Sequence, residues 1–210
     1  MTKRSPLYSI LFRALLAAVF GTAVSTVAVA TKDRVRAGER ARTRSHVLGT
    51  FQIPVPADAG EIDALWNERV EEQQTPEGVY YVARDADGRP LGFGVPFTGP
   101  GFWGPISGVL AVQADGERIL GLSFTSHQET PGLGGRISEE WFRSQFRDRS
   151  VIPPADGGPI LEFVYRKPEG AREVEAITGA TQTSSRLDRF LNQFLIDLRR
   201  HPALAGAGGA

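Results

Sequence analysis

The first long apolar run spans residues 14–30, ALLAAVFGTAVSTVAVA, and carries no charge. Residues 7–12 before it are also uncharged, and Arg13 alone stands between the two. About 20 apolar residues cross a hydrocarbon core, so the run predicts one transmembrane helix, with Arg13 at a depth where its stem can snorkel. Beyond residue 50 the pattern shortens and alternates. Ile62, Leu65, Trp66 and Val70 share one face of a helix predicted over 57–73. Apolar, β-rich segments flank Asp87-Gly88, and again Asp115-Gly116, where Val109 and Ala111 oppose Ile119 and Gly121. Asp-Gly between such segments predicts hairpins. A short helix is predicted over 138–146, with Ser138 as its N-cap. Residues 160–178 read as a third strand–turn–strand, turning at Pro168-Glu169-Gly170. In the last helix, predicted to start near Thr183 or Ser184, Leu187, Phe190, Leu191, Phe194, Leu195 and Leu198 recur at helical spacing. Arg199 and Arg200 suit its C-terminal dipole. The sum is an α+β fold of antiparallel β hairpins packed with helices, preceded by one N-terminal transmembrane helix. The expected division is an anchor at 1–31, a basic juxtamembrane linker or helix at 32–50, a soluble domain at 51–202 and a disordered tail at 203–210.

Charge narrows the function. The 210 residues hold 24 basic and 24 acidic side chains, a formal net charge of zero, which argues against a nucleic-acid partner. There is no cysteine, and the three histidines, His46, His127 and His201, lie far apart. Disulfides, thiol nucleophiles and the common metal cages are thereby excluded, and no metal site is expected. The N-terminal run also admits a second reading as a cleaved signal peptide, with Lys3 and Arg4 before it and the A-x-A pattern Ala28-Val29-Ala30 at its end. The length of the run and the helix-compatible KDRVRAGERARTR that follows favour a retained anchor. Orientation is contested. Lys32, Arg34, Arg36, Arg40, Arg42 and Arg44 outnumber Lys3, Arg4 and Arg13, and by the positive-inside rule would hold the larger domain in the cytoplasm.

Two loops stand out chemically. Residues 177–185, ITGATQTSS, lie between a strand and a helix. A helix start offers unpaired N–H groups and partial positive charge, which favour a phosphate. Gly179 and Ala180 allow close backbone approach, and Thr178, Thr181, Thr183 and Ser184 supply hydroxyls. The plainer alternative is that Thr183 or Ser184 only caps the helix. No Gly-Lys-Ser/Thr follows, so this is not a P-loop. Residues 127–137, HQETPGLGGRI, are not a dinucleotide fingerprint, because Ile137 stands where a third glycine is needed. Pro131-Gly132 alone would make a type II turn. Glu129-Thr130 before it and Gly134 after it add backbone groups suited to the edge of a flat heteroaromatic ring.

Glu129-Thr130-Pro131-Gly132-Leu133-Gly134, followed about fifty residues later by Thr178-Gly179-Ala180-Thr181, resembles the FMN-binding subunits of membrane electron-transport complexes. These are the C-type subunit of the sodium-translocating NADH:quinone reductase and its relative, the G-type subunit of the Rnf complex. VAVATKDRVRAGER leans toward the former, and GFWGPISGVLAV is similar to both. The resemblance implies FMN bound covalently through a phosphoester on Thr181, the last residue of the S/T-G-A-T motif. A separate flavin transferase would make the bond, with FAD as donor and Mg²⁺ present. Residues 129–134 would meet the isoalloxazine ring, with Glu129, Thr130, Gly132, Leu133 and Gly134 as cofactor contacts, and Glu129 and Thr130 as the residues that tune it. Thr178, Gly179, Ala180 and Thr183 would complete the site around Thr181. The chain would relay electrons within a membrane complex, with other membrane subunits as partners and no catalytic residue of its own. A tethered cofactor suits an extracytoplasmic domain, where lost flavin is not replaced, so the resemblance sets that placement against the positive-inside count. Two alternatives stand beside this reading: the Rnf-type subunit, and a membrane-anchored sensor or assembly domain without redox function.

Other residues admit two readings each. Phe102 and Trp103, in TGPGFWGP, either line the flavin or a subunit contact, or pack in the core. His127 either approaches the ring or lies on the surface. Trp141 and Phe142 are expected to anchor their helix, Glu139-Glu140 to complement its dipole, and residues 32–44 to meet lipid headgroups or solvent.

Overall fold

A computed structural model describes residues 6–76, 78–201 and 204. Lys3, Arg4 and, apart from Leu204, the tail expected to be disordered lie outside the described residues. The chain divides into two compact units, Met1–Arg42 and Thr43–Ala210. In the first, helix α1 (Pro6–Thr50) begins and runs unbroken through the apolar and the basic stretches. It is long and apolar enough to cross a membrane, and none of its apolar window is buried.

The second unit is built on an antiparallel sheet in the order β1 (Val70–Thr75), β2 (Gly78–Arg84), β3 (Pro90–Pro100), β4 (Pro105–Gln113), β5 (Ile119–Ser126). Both Asp-Gly hairpins form. Asp85 Oδ1 accepts from the N–H groups of Asp87 (2.9 Å) and Arg89 (2.8 Å), and Asp115 Oδ1 from Glu117 N–H (2.9 Å). Each aspartate replaces backbone pairing that the turn gives up. Side chains on β4 alternate between two layers. Leu110 and Val112 join Phe97, Phe124 and helix α4 (Thr181–Leu198) on one face. Val109 and Ala111 face Val47 and Leu48 from the end of α1, Phe51 just beyond it, and Ile62 and Trp66 from α2 (Ala59–Arg69). This period of two makes the sheet a middle layer, buried on both sides. Arg44 fastens α1 to α2 by a 2.5 Å ion pair with Asp63 while lying 5.2 Å above the Trp66 ring.

Four expected elements differ from what forms. The helix over 57–73 is shorter, capped by Asp58 and ending at Arg69. Residues 70–75 instead make the edge strand β1, paired from Val70↔Ala83 to Thr75↔Gly78. Pairing with β2 overrides the helical spacing there. Ser138 is not an N-cap: it ends a 3-10 turn (Gly134–Ser138), and its Oγ lies 3.0 Å from His127 Nε2. Helix α3 (Glu140–Ser144) starts after Glu139, whose carboxylate turns to Arg136 and to the Trp141 indole. Residues 160–178 form no hairpin; β6 (Glu162–Val164) and β7 (Glu173–Glu175) pair in parallel as a separate two-stranded sheet. The last helix begins at Thr181 rather than at Thr183 or Ser184.

The loop between β6 and β7 is fastened by Glu173. The Arg166 guanidinium bonds it at 2.5 and 2.8 Å, and the N–H groups of Glu169 (2.7 Å) and Gly170 (3.2 Å) add to the same carboxylate. Arg166 first, and then these two N–H groups, hold Glu173 down to about 2, from an ordinary value of 4.5. A depressed carboxylate contributes stability above its unfolded value and loses it as pH falls through the folded one. The melting-temperature difference between wild type and Glu173→Gln is therefore expected to be constant above about pH 5 and to shrink between 4.5 and 2. A difference that stays flat through that window would show that Glu173 is not the group titrating.

Candidate functional site

Three segments distant in sequence meet at the N-terminal end of α4. The turn joining β3 to β4 brings Phe102 and Trp103, whose ring centroids lie 4.8 Å apart. The loop after β5 brings Glu129, Thr130, Leu133 and Gly134. The turn after β7 brings Gly179, Ala180, Thr181, Gln182 and Thr183. Together these residues enclose a cavity of about 320 Å³, within the range of small-ligand sites.

Glu129 holds the three segments together. It is 5% exposed. Its Oε1 accepts from the N–H groups of Phe102 (2.7 Å) and Trp103 (3.2 Å), and its Oε2 from the Thr183 hydroxyl (2.5 Å). A buried carboxylate needs such donors to offset lost hydration. Two glycines make room for it. A Cβ on Gly134 would lie 2.6 Å from Oε2 and 2.5 Å from Thr183 Oγ1, and one on Gly101 would lie 2.5 Å from Oε1. His127 supports the same loop, accepting the Glu129 N–H on Nδ1 at 3.2 Å.

The hydroxyls of the 177–185 stretch are unequal. Thr183 is 3% exposed and committed to Glu129. Ser184 is 1% exposed, and its Oγ accepts the Ile177 N–H at 3.1 Å. Thr178 and Thr181 differ from these in exposure or in place, and only Thr181 is exposed, lines the cavity and opens the helix. Ala180, at the N-cap, offers no side-chain cap, so the N–H groups of the first turn are left for another acceptor. Tyr165 stands beside them, its hydroxyl 3.5 Å from the Thr181 carbonyl.

Eight of the ten residues that the sequence singles out line the cavity; Gly132 and Thr178 do not. Gly132 adopts φ +75° within the loop turn. Gln182 lines the cavity without any sequence signal beyond its place in the first turn. Phe102 and Trp103 are not core residues: they are 44% and 63% exposed, and Leu133 opposite them is 46% exposed. Such a cluster of exposed large apolar groups at a polar-floored cavity suits a flat apolar ring. A flavin mononucleotide fits this donor set. The aromatic and leucine side chains offer walls for its ring, and the uncapped helix start offers N–H groups for its phosphate. No group of three or more His, Cys, Asp or Glu among the described residues could hold a metal.

Residues 101–195, which contain all three site segments, match the model of the FMN-binding domain family. The C-type subunit of the Na(+)-translocating NADH-quinone reductase of Chlamydia trachomatis is 34% identical over 105 residues, covering 42% of this chain and 33% of that protein. The G-type subunit of the proton-translocating ferredoxin:NAD(+) oxidoreductase complex of Clostridium ljungdahlii is also 34% identical, over 50% of this chain and 51% of that protein. The matched stretch thus spans between a third and a half of these two curated relatives. The crystal structure of the C-type reductase subunit from Parabacteroides distasonis superposes with a TM-score of 0.64 at 24% identity, covering 77% of this chain and 92% of that one. At that identity the likeness establishes the fold.

Proposed function

We propose that the chain is the FMN-carrying electron-relay subunit of a sodium-translocating NADH:quinone oxidoreductase, with the flavin held on Thr181 by a phosphoester. The observation that carries the attachment site is the inequality of the hydroxyls. Thr183 and Ser184 are buried and bonded within the protein, while Thr181 is exposed at the cavity and at an uncapped helix start. Bound there, FMN supplies one-electron exchange between other redox centres.

The remaining work falls to the chain's own residues. Thr181 provides the acceptor oxygen. The first-turn N–H groups and the α4 dipole stabilise a phosphate ester next to it. Phe102, Trp103 and Leu133 shield a ring from water on its faces, and Gly179 and Ala180 keep the backbone close to the link. Glu129, Thr130, Gly134 and Thr183 line the same cavity, and Gly132 and Thr178 shape the turns that carry its lining residues. A flavin transferase and the other membrane subunits of the complex are the proposed partners. Helix α1 serves as a single-span anchor, and the proposed place of the 51–202 domain is the extracytoplasmic side. The similarity to the Clostridium ljungdahlii protein supports a second reading, as the corresponding member of an Rnf-type complex with the same flavin chemistry.

Intact mass of membrane-extracted protein co-produced with a flavin transferase is expected to exceed the chain mass by one esterified FMN. The tryptic peptide 173–186 is expected to carry it. Finding only unmodified peptide under those conditions would end the proposal.

A further inference from the structure

The cavity contains one formal charge, and it is negative. No lysine, arginine or histidine is among the lining residues, and Glu129 is the one ionisable carboxyl among them. Its Oε2 reaches the hydroxyl of Thr183, the third residue of α4, so an anion already occupies part of the first-turn field. Sites that capture a free phosphate monoester combine the helix start with an arginine, a lysine or a nest of N–H groups. Here the cation is missing and a carboxylate stands in the wall. A free phosphate monoester carries about 1.5 to 2 negative charges at neutral pH; esterified to a second alcohol, it carries roughly one. Coulomb repulsion from a nearby carboxylate scales with that charge.

We propose that Glu129 is a specificity-determining residue that makes the pocket reject free FMN and accept flavin whose phosphate is already esterified. It discriminates by charge at the phosphate end, while Phe102, Trp103 and Leu133 take the ring in either form. This rests on the pocket being the flavin site. It differs from a role as a ring contact, because both carboxylate oxygens are turned to protein donors. Gln at 129 can keep the same geometry without the charge: its carbonyl can accept from Phe102 and Trp103, and its amide can donate to the Thr183 oxygen.

The test uses full-length protein made without a transferase, titrated with FMN and with riboflavin and followed by flavin fluorescence. Wild type is expected to bind riboflavin about tenfold more tightly than FMN, and Glu129→Gln to raise FMN affinity about tenfold with riboflavin changed less than about twofold. The wild-type gap is itself a readout that needs no variant, and its absence also overturns the inference. Equal FMN affinity in wild type and Glu129→Gln, whether measurable or absent in both, overturns the inference. So does an equal gain for both ligands, which would mean a change of shape. None of these results touches the attachment proposal, which is tested separately by flavin on peptide 173–186 of co-produced wild type and by its loss in Thr181→Ala.

Discussion

Thr181→Ala is expected to abolish covalent flavin completely while leaving the domain folded. Denatured, washed protein co-produced with a transferase would lose its in-gel flavin fluorescence, because no other hydroxyl of the α4 first turn both faces the cavity and is free of a buried bond. The fold has little at stake at this position. Thr181 is exposed, makes no cap, and alanine is the better helix former, so its stability is expected to stay within about 0.5 kcal/mol of wild type. Thr183→Ala is the counterpart with the opposite profile. It removes a donor from a buried carboxylate, which costs about 1–3 kcal/mol, yet it keeps the flavin on Thr181. If Thr181→Ala stays fluorescent and Thr183→Ala goes dark, the attachment site has been misassigned.

The second large effect concerns the core beneath the site. Phe142 is fully buried, with ring centroids 5.4 Å from Phe146, 6.2 Å from Phe163 and 6.4 Å from Phe124. It comes from a helix of five residues, too short to hold itself without packing. Phe142→Ala removes the shared contact of α3, β5 and β6 and leaves a void, at a cost of about 3–5 kcal/mol. Total stability of a domain is only about 5–15 kcal/mol, so the denaturant midpoint is expected to fall steeply with an unchanged slope. A loss below about 1 kcal/mol would mean that the phenylalanine cluster does not hold these elements together.

Local chemistry is legible in this chain and long-range pairing is not. The α4 stripe is amphipathic by spacing, and Leu187, Leu191, Leu195 and Leu198 are buried as it predicts. The Asp-Gly turns fold as read, since aspartate and glycine act within a few residues of themselves. The edge strand β1 has no such signature, because Glu71, Glu72, Gln73 and Gln74 carry no strand pattern; it is a strand only through β2. The β6–β7 pair is parallel because its partners are set by the core under α4, not by the turn between them. At the site, the two loops announce themselves by composition. That Glu129 spends its oxygens on Phe102, Trp103 and Thr183 depends on neighbours 26 to 54 residues away, and nothing near Glu129 encodes them.

That same bond has a consequence for biosynthesis. Its two ends are separated by 54 residues, and the later one belongs to the final helix. A nascent chain halted before α4 has the first two walls of the cavity and no floor. With flavin attached as proposed, colour would therefore report that synthesis ran through α4 and that the closing helix docked.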